Sequence, residues 1–206
     1  MMNIVVFFYK ASKIAFARLF CWITSILTRV LFCFNGIKFM GKIRSSGIPI
    51  IHMSLKAHCF IGHNFTIGNW SGNNASGFNA KCKIEVRNNA ILNIGNNVGI
   101  TAVTIMCYKH ITIGNNVMIG MGTHIYDTNF HNINPSLRID KNDPIEQVKT
   151  APIIIKDNVF IGAFSIILKG VTIGENSVVA AGSVVVNSIP NNEIWGGNPA
   201  RFIKKI

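Results

Sequence analysis

The residues of this 206-residue chain best placed for chemistry lie in one short stretch, Asp127-Thr128-Asn129-Phe130-His131. It stands where a strongly patterned region gives way to an unpatterned one, Thr128 to Ala151, which contains Pro135, Pro144 and several polar residues. A segment of that length without secondary structure of its own is usually functional or disordered. His131 would project where a rigid scaffold meets this extruded loop, and function concentrates on such loops. Its chemistry would be proton transfer near neutral pH. The other histidines offer less. His124 follows Gly122-Thr123 inside the patterned region and reads as structural, while His52, His58, His63 and His110 are scattered. His110, His124 and His131 lack the spacing of a convergent metal site, so no metal is expected. The cysteines (Cys21, Cys33, Cys59, Cys82, Cys107) form no CxxC pair. Such an odd, scattered set reads as reduced, buried thiols of a cytoplasmic protein.

The element that must position His131 is a repeat. From Ile155 to Val185 an aliphatic residue stands at every sixth position: Ile155, Ile161, Ile167, Ile173, Val179, Val185. That period fits neither an amphipathic helix nor a simple strand. It fits a solenoid of stacked parallel strands joined by tight corners, in which three hexads make one triangular coil of about 18 residues. Small or β-branched residues recur two positions earlier, at Val159, Ser165, Val171, Ser177 and Ser183. The same signal opens at Ile94 and Ile100 with Met106 in phase, shifts by one residue, continues through Ile113, Ile119 and Ile125, and has weaker copies at Ile61 and Ile67. The corners Asn96-Asn97, Asn115-Asn116 and Asp157-Asn158 suit residues that tolerate left-handed backbone. We expect one mainly β domain, a parallel β-helix over 46–188 with the extruded loop at 128–151 and a C-terminal tail at 189–206.

Residues 1–45 differ. They carry Lys10, Lys13, Arg18, Arg29, Lys38, Lys42 and Arg44 with no acidic residue, seven of the chain's formal +12 charges. On a helix, Lys10, Lys13, Arg18 and Arg29 fall within roughly 160° of arc and leave a broad apolar face. The longest uncharged run between them, Leu19 to Thr28, is too short to span a bilayer. No small-residue cleavage site of a signal peptide follows it. Two placements remain for this basic amphipathic helix: on an anionic membrane surface, at the inner face of the cytoplasmic membrane, or against the solenoid's open end or a neighbouring subunit. The charge does not point to nucleic acid, because it concentrates at the N-terminus without an interleaved basic and aromatic surface on the body.

Three stretches carry a family resemblance: Ile155-Lys156-Asp157-Asn158-Val159-Phe160-Ile161-Gly162-Ala163, then Gly170 to Ser183, and the tail Gly197-Asn198-Pro199-Ala200-Arg201-Phe202-Ile203-Lys204. In these the chain resembles the hexapeptide-repeat acyltransferases with a left-handed parallel β-helix, in particular the maltose, galactoside and polysaccharide O-acetyltransferase branch. The resemblance covers about residues 85–206 firmly and 46–84 loosely. Left-handed coiling comes from it alone, since it runs against the usual right-handed crossover. It implies a homotrimer with sites in the clefts between solenoids, acetyl-CoA as donor, and His131 as general base. It further implies that Asp127 and Asn129 orient His131 or bind the acceptor, although the branch often has an acidic residue near the position of Asn129. Ala163 and Ala181 would lie along the pantetheine arm, and Arg201 and Lys204 would meet the nucleotide phosphates. Val186-Asn187 stands where many relatives have Thr-Lys, so one cofactor contact would be missing.

Three function classes follow. The first is O-acetylation of a sugar or oligosaccharide hydroxyl, for instance in a surface-polysaccharide precursor, to which a basic apolar N-terminus adds a fit for a lipid-linked acceptor. The second is N-acylation of an amino sugar or acylation of another small acceptor. The third is non-transferase, a metal-dependent hydratase or a catalytically silent scaffold. Retention of His131 and of the CoA-tail motif favours the transferases.

Overall fold

The computed structural model describes residues 4–69, 80–139 and 147–206. Its body is a triangular solenoid of three parallel sheets. The first face is built from strands Lys38–Phe39, His58–Ile61, Ile91–Ile94, His110–Ile113, Ile153–Ile155 and Thr172–Ile173. The second stacks Ile43–Ser46, Phe65–Gly68, Gly99–Thr101, Met118–Ile119, Phe160–Ile161, Val178–Val179 and Glu193–Gly196, with Arg201–Lys205 added antiparallel. The third stacks Ile50–Met53, Lys83–Val86, Thr104–Cys107, His124–Tyr126, Ile166–Leu168 and Val184–Val185. The hexad aliphatics are the inward residues: Ile155, Ile161, Ile167, Ile173, Val179 and Val185 are each fully buried. Ile155 pairs with Ile173 and Ile161 with Val179, eighteen residues on, which is one coil. The small residues before them line the interior corners, where Ser165, Ser177 and Ser183 are buried and donate to the carbonyls of Gly162, Pro190 and Ala180.

One corner is held by a ladder. Asn64, Asn97, Asn116, Asn158, Asn176 and Asn192 all take φ between +56° and +60°. Each of the first five donates its side-chain amide to the next side-chain carbonyl at 2.8–3.0 Å. Beside it, Asn96, Asn115 and Asp157 accept from the backbone N–H of His63, Asn96 and Asn115 at 2.8–2.9 Å. The bonds from Asn115 hold the Asp157 carboxyl below its ordinary range.

Several boundaries differ from the sequence reading. The solenoid begins at Lys38, not at 46, because Lys38–Phe39 already pairs with Phe60–Ile61. It also continues past 188: Ile189 is buried and bridges Ile173, and Glu193–Gly196 adds a strand beyond Val178–Val179. Met106 is not the inward residue. Ile105 is, paired with Ile125 and fully buried, because the corner before it turns early at Ala102 (φ +48°). The extruded loop is more ordered at its ends than a structureless segment. Residues 127–129 run antiparallel to 149–151, and a short helix, Pro135–Ile139, follows an Asn134 cap. Cys59, Cys82 and Cys107 are buried, but Cys33 is exposed and Cys21 half-buried. Burial pushes the Cys59 and Cys82 thiols up to about 12, which leaves them inert as nucleophiles at neutral pH.

Helix α1, Ile4–Phe34, ends at Gly36 (φ +68°), where Ile37 N donates back to Phe32 O at 3.0 Å. Thr24, Thr28 and Phe32 are its buried stripe. Thr24 Oγ1 donates to Ser45 O at 2.6 Å and Ser45 N donates to Ser25 Oγ at 2.9 Å, so the C-terminal half of α1 docks on strand Ile43–Ser46. Residues 4–16 of the helix are exposed throughout. Replacing Asn158 by Ala removes two ladder bonds and forces a Cβ-bearing residue without a compensating amide into left-handed backbone. Equilibrium urea unfolding of Asn158→Ala should show a loss of about 2–3 kcal/mol, from the two effects together.

Candidate active site

The chain leaves the third face after Tyr126, and the bend that follows is tightly specified. Asp127 is fully buried. Its Oδ1 accepts from Tyr108 N at 2.7 Å and its Oδ2 from Lys109 N and His110 N at 2.8 and 2.9 Å. Burial raises its pKa above the ordinary carboxylate value, partly offset by those three amides. Asp127 therefore neither orients His131 nor meets an acceptor; it ties the loop's root to the preceding rung. This corrects the role expected for it. Two backbone bonds then close the base of the loop, Ala151 N to Asp127 O at 3.0 Å and Asn129 N to Lys149 O at 3.2 Å.

Phe130 turns the chain outward. It adopts φ +63°, costly for an aromatic residue, and is held there by Thr128 Oγ1, which accepts its N–H at 3.1 Å. Its ring packs edge-on against Tyr126 at 5.0 Å and Tyr108 at 5.8 Å. His131 N donates to Asn129 O at 2.8 Å, and the His131 side chain stands exposed at the tip of this bend. Asn129 is half-buried, and its Nδ2 is buried without a hydrogen-bond partner among the described residues. A buried polar donor without a partner is uncommon and marks this position. Tyr108, Tyr126 and Phe130 were not singled out from the sequence. Phe130 and Tyr126 at least stand in or next to the bend, whereas Tyr108 reaches it only from the preceding rung.

The expected cofactor residues form a separate line. Gly120, Gly162 and Ala180 stack at the corner between the second and third faces, so closely that a Cβ on Gly162 would lie 2.5 Å from Ala181 N. Ala163 O accepts from Gly182 N at 2.8 Å, which places Ala163 and Ala181 one above the other. Ala181 is exposed and Ala163 half-buried. The tail closes over the same corner: Ala180 N donates to Trp195 O, and Gly196 pairs with Arg201. Arg201 and Lys204 are exposed on the terminal strand. The structure thus joins Ala163, Ala181 and the tail that carries Arg201 and Lys204. It does not bring His131 to them in one chain. They occupy opposite edges of the third face, separated by three-residue strands about 10 Å long. His124 is half-buried, with its Nδ1 2.8 Å from Tyr126 Oη. No group of three His, Cys, Asp or Glu side chains able to hold a metal occurs among the described residues.

The family model for bacterial transferase hexapeptide repeats (six repeats) matches residues 152–187. Residues 152–187 thus carry recognisable hexapeptide repeats. Galactoside O-acetyltransferase of Escherichia coli is 42% identical over 96 residues, 47% of this chain and 44% of that protein. A hexapeptide-repeat acetyltransferase of Vibrio cholerae, solved with acetyl coenzyme A, is 36% identical over 55% of this chain and 60% of its own, with a TM-score of 0.50. A variant of the Bacillus cereus N-acyltransferase AntD, solved with dTDP-4-amino-4,6-dideoxyglucose and coenzyme A, aligns over 86% of this chain and 88% of its own at TM-score 0.61. At 24% identity that match speaks for the fold alone. The chain spans less than half the length of the galactoside enzyme it matches. Its fold is the left-handed β-helix of these neighbours.

The two polar residues Asp127 and His131 differ sharply in burial, and stability separates them. Asp127→Ala leaves the amides of Tyr108, Lys109 and His110 without their acceptor and should lower unfolding free energy by about 3 kcal/mol. His131→Ala, at an exposed position, should stay within about 0.5 kcal/mol of wild type. Urea denaturation of the two variants checks both.

Proposed function

We propose that this chain is an acetyl-CoA-dependent O-acetyltransferase whose acceptor is a sugar hydroxyl, as in a surface-polysaccharide precursor. The observation that carries this reading is the outward bend at Phe130. A buried carboxylate, a clamped loop base and an aromatic wedge hold His131 out at one edge of the third face. The small-residue corner and cationic tail that suit an extended CoA lie at the other edge. Because the edges diverge within one chain, the working site lies between chains, with His131 of one copy facing the Ala163–Ala181 line of its neighbour in a homotrimer.

In this reading neutral His131 takes the proton of the acceptor hydroxyl as that oxygen attacks the thioester carbonyl. The carbon–sulfur bond breaks, and the imidazolium returns the proton to the departing thiolate, so that an acetyl ester and free CoA leave. The orphan Asn129 amide is a donor for the acceptor or for the oxygen that becomes negative in the transition state. Ala163 and Ala181 present backbone, without bulk, to the pantetheine arm. Arg201 and Lys204 supply unpaired positive charge for phosphates.

The test is acetyl-CoA turnover, followed by thiol release, over a panel of sugars and lipid-linked oligosaccharides. Acceptor-dependent release that falls roughly 10²–10⁴-fold in His131→Ala supports the reading. An alkali-stable product would move it to N-acylation. CoA binding that is absent altogether, or turnover unchanged in the variant, contradicts it.

A further inference from the structure

Between α1 and the outer side of strands Ile43–Ser46 and Phe65–Gly68 runs a groove of about 1050 Å³. Lys13, Arg18 and Arg29 of the helix and Lys42 and Arg44 of the solenoid line it, with Trp22 on its wall and no carboxylate. Arg29 Nε is buried there without a hydrogen-bond partner among the described residues. Five cations converging without a counter-ion repel one another, and a buried guanidinium donor without an acceptor is costly. Among the described residues no carboxylate lines the groove, and no acidic residue precedes Glu85 in the sequence. Nor do the described carboxylates offer an acidic patch from a second copy. Glu85 is paired with Lys83 and Arg87, Asp127 is buried, Asp157 is held by Asn115, Glu193 accepts from Trp195, and Glu175 is a single exposed carboxylate at a corner, not a patch.

Next to the groove lies an apolar face. At about 100° per residue, Phe8, Leu19, Ile23, Leu27, Val30 and Phe34 fall on one side of α1, away from the Thr24–Thr28–Phe32 stripe that docks on the solenoid. All six are exposed. Arg18 and Arg29 sit on the border between that face and the groove. By length and composition Ile4–Phe34 could cross a membrane. Spanning would carry Lys10, Lys13 and Arg18 into hydrocarbon while the other end is pinned by Thr24 and Ser25, whereas lying flat keeps every cation at headgroup level.

We propose that this groove binds the phosphate headgroup of an anionic phospholipid, and that α1 lies in the membrane interface with its apolar face among the acyl chains. The bilayer surface supplies both the negative charge that the groove lacks and the apolar phase that covers the helix. The solenoid would then be held at the membrane by both the helix and its own first rung. The proposal is independent of the acyl-transfer reading.

The experiment is flotation of the full chain with vesicles of equal parts phosphatidylcholine and phosphatidylglycerol, and with phosphatidylcholine alone. The double variant Lys42→Glu/Arg44→Glu changes only exposed solenoid residues, off the helix and outside the catalytic machinery. Wild type should float with the anionic vesicles and remain behind with the neutral ones. The double variant should partition at least about tenfold less while keeping the wild-type melting temperature and oligomeric state. Should it lose its fold, Lys42→Gln/Arg44→Gln takes its place. Equal flotation with neutral vesicles, wild-type partitioning by the variant, or a change in oligomeric state in place of vesicle binding would overturn the proposal. So would saturable binding of inorganic phosphate by a protein that ignores both vesicles.

Discussion

A parallel solenoid has to turn its chain sharply several times in every eighteen-residue coil while leaving each backbone amide paired. Here the first corner of successive rungs is turned by asparagine in left-handed backbone, a conformation that disfavours most side chains. The asparagine side chain compensates by bonding to its counterpart on the next rung, so the six residues from Asn64 to Asn192 form one continuous column. That column fixes the rung spacing and with it the inward direction of every aliphatic. The forty-two-residue step from Asn116 to Asn158 shows what the constraint permits. The ladder crosses it without a gap, so the whole extruded loop is inserted at a different corner and leaves the stack undisturbed.

The site inherits its rigidity from that stack. Asp127 hangs the root of the loop on the three amides of the preceding rung, and the antiparallel base carries the same order outward to Asn129. Phe130 then converts aromatic packing into backbone direction. The exposure of His131 is thus a consequence of burial behind it. Across the face, close stacking of Gly120 and Gly162 brings successive rungs near enough for Ala163 and Ala181 to form a smooth line. A second copy of the chain is what would unite the two halves.

Where the repeat is regular, period alone gave the architecture, because an aliphatic that misses its hexad position would face solvent. It failed where local backbone broke phase. The early turn at Ala102 moved the inward role from Met106 to Ile105, and nothing in residue type distinguishes those two apolar side chains. The terminal boundaries failed for a related reason: the strands at Lys38 and Glu193 lack hexad aliphatics and are defined by their partners. The exposed position of His131 at the root of the loop was legible from the point where the repeat breaks. Asp127 was misread because a carboxylate near a histidine suggests an orienting partner, whereas its true partners are backbone amides that carry no sequence signal. The cationic groove was equally hidden, since Arg29 and Arg44 meet only through tertiary packing.

The central claim is that proton transfer and donor binding are divided between chains. The direct measurement is complementation: His131→Ala and Ala181→Trp proteins are assayed for acetyl-CoA turnover separately and after co-refolding. Ala181 is exposed, so the bulkier side chain obstructs the corner without disturbing the core. Each variant alone should be inactive, and the mixture should recover activity, because some interfaces then pair an intact His131 with an intact Ala181 corner. A mixture no more active than the two variants apart would place both halves of the site in one chain and contradict the account.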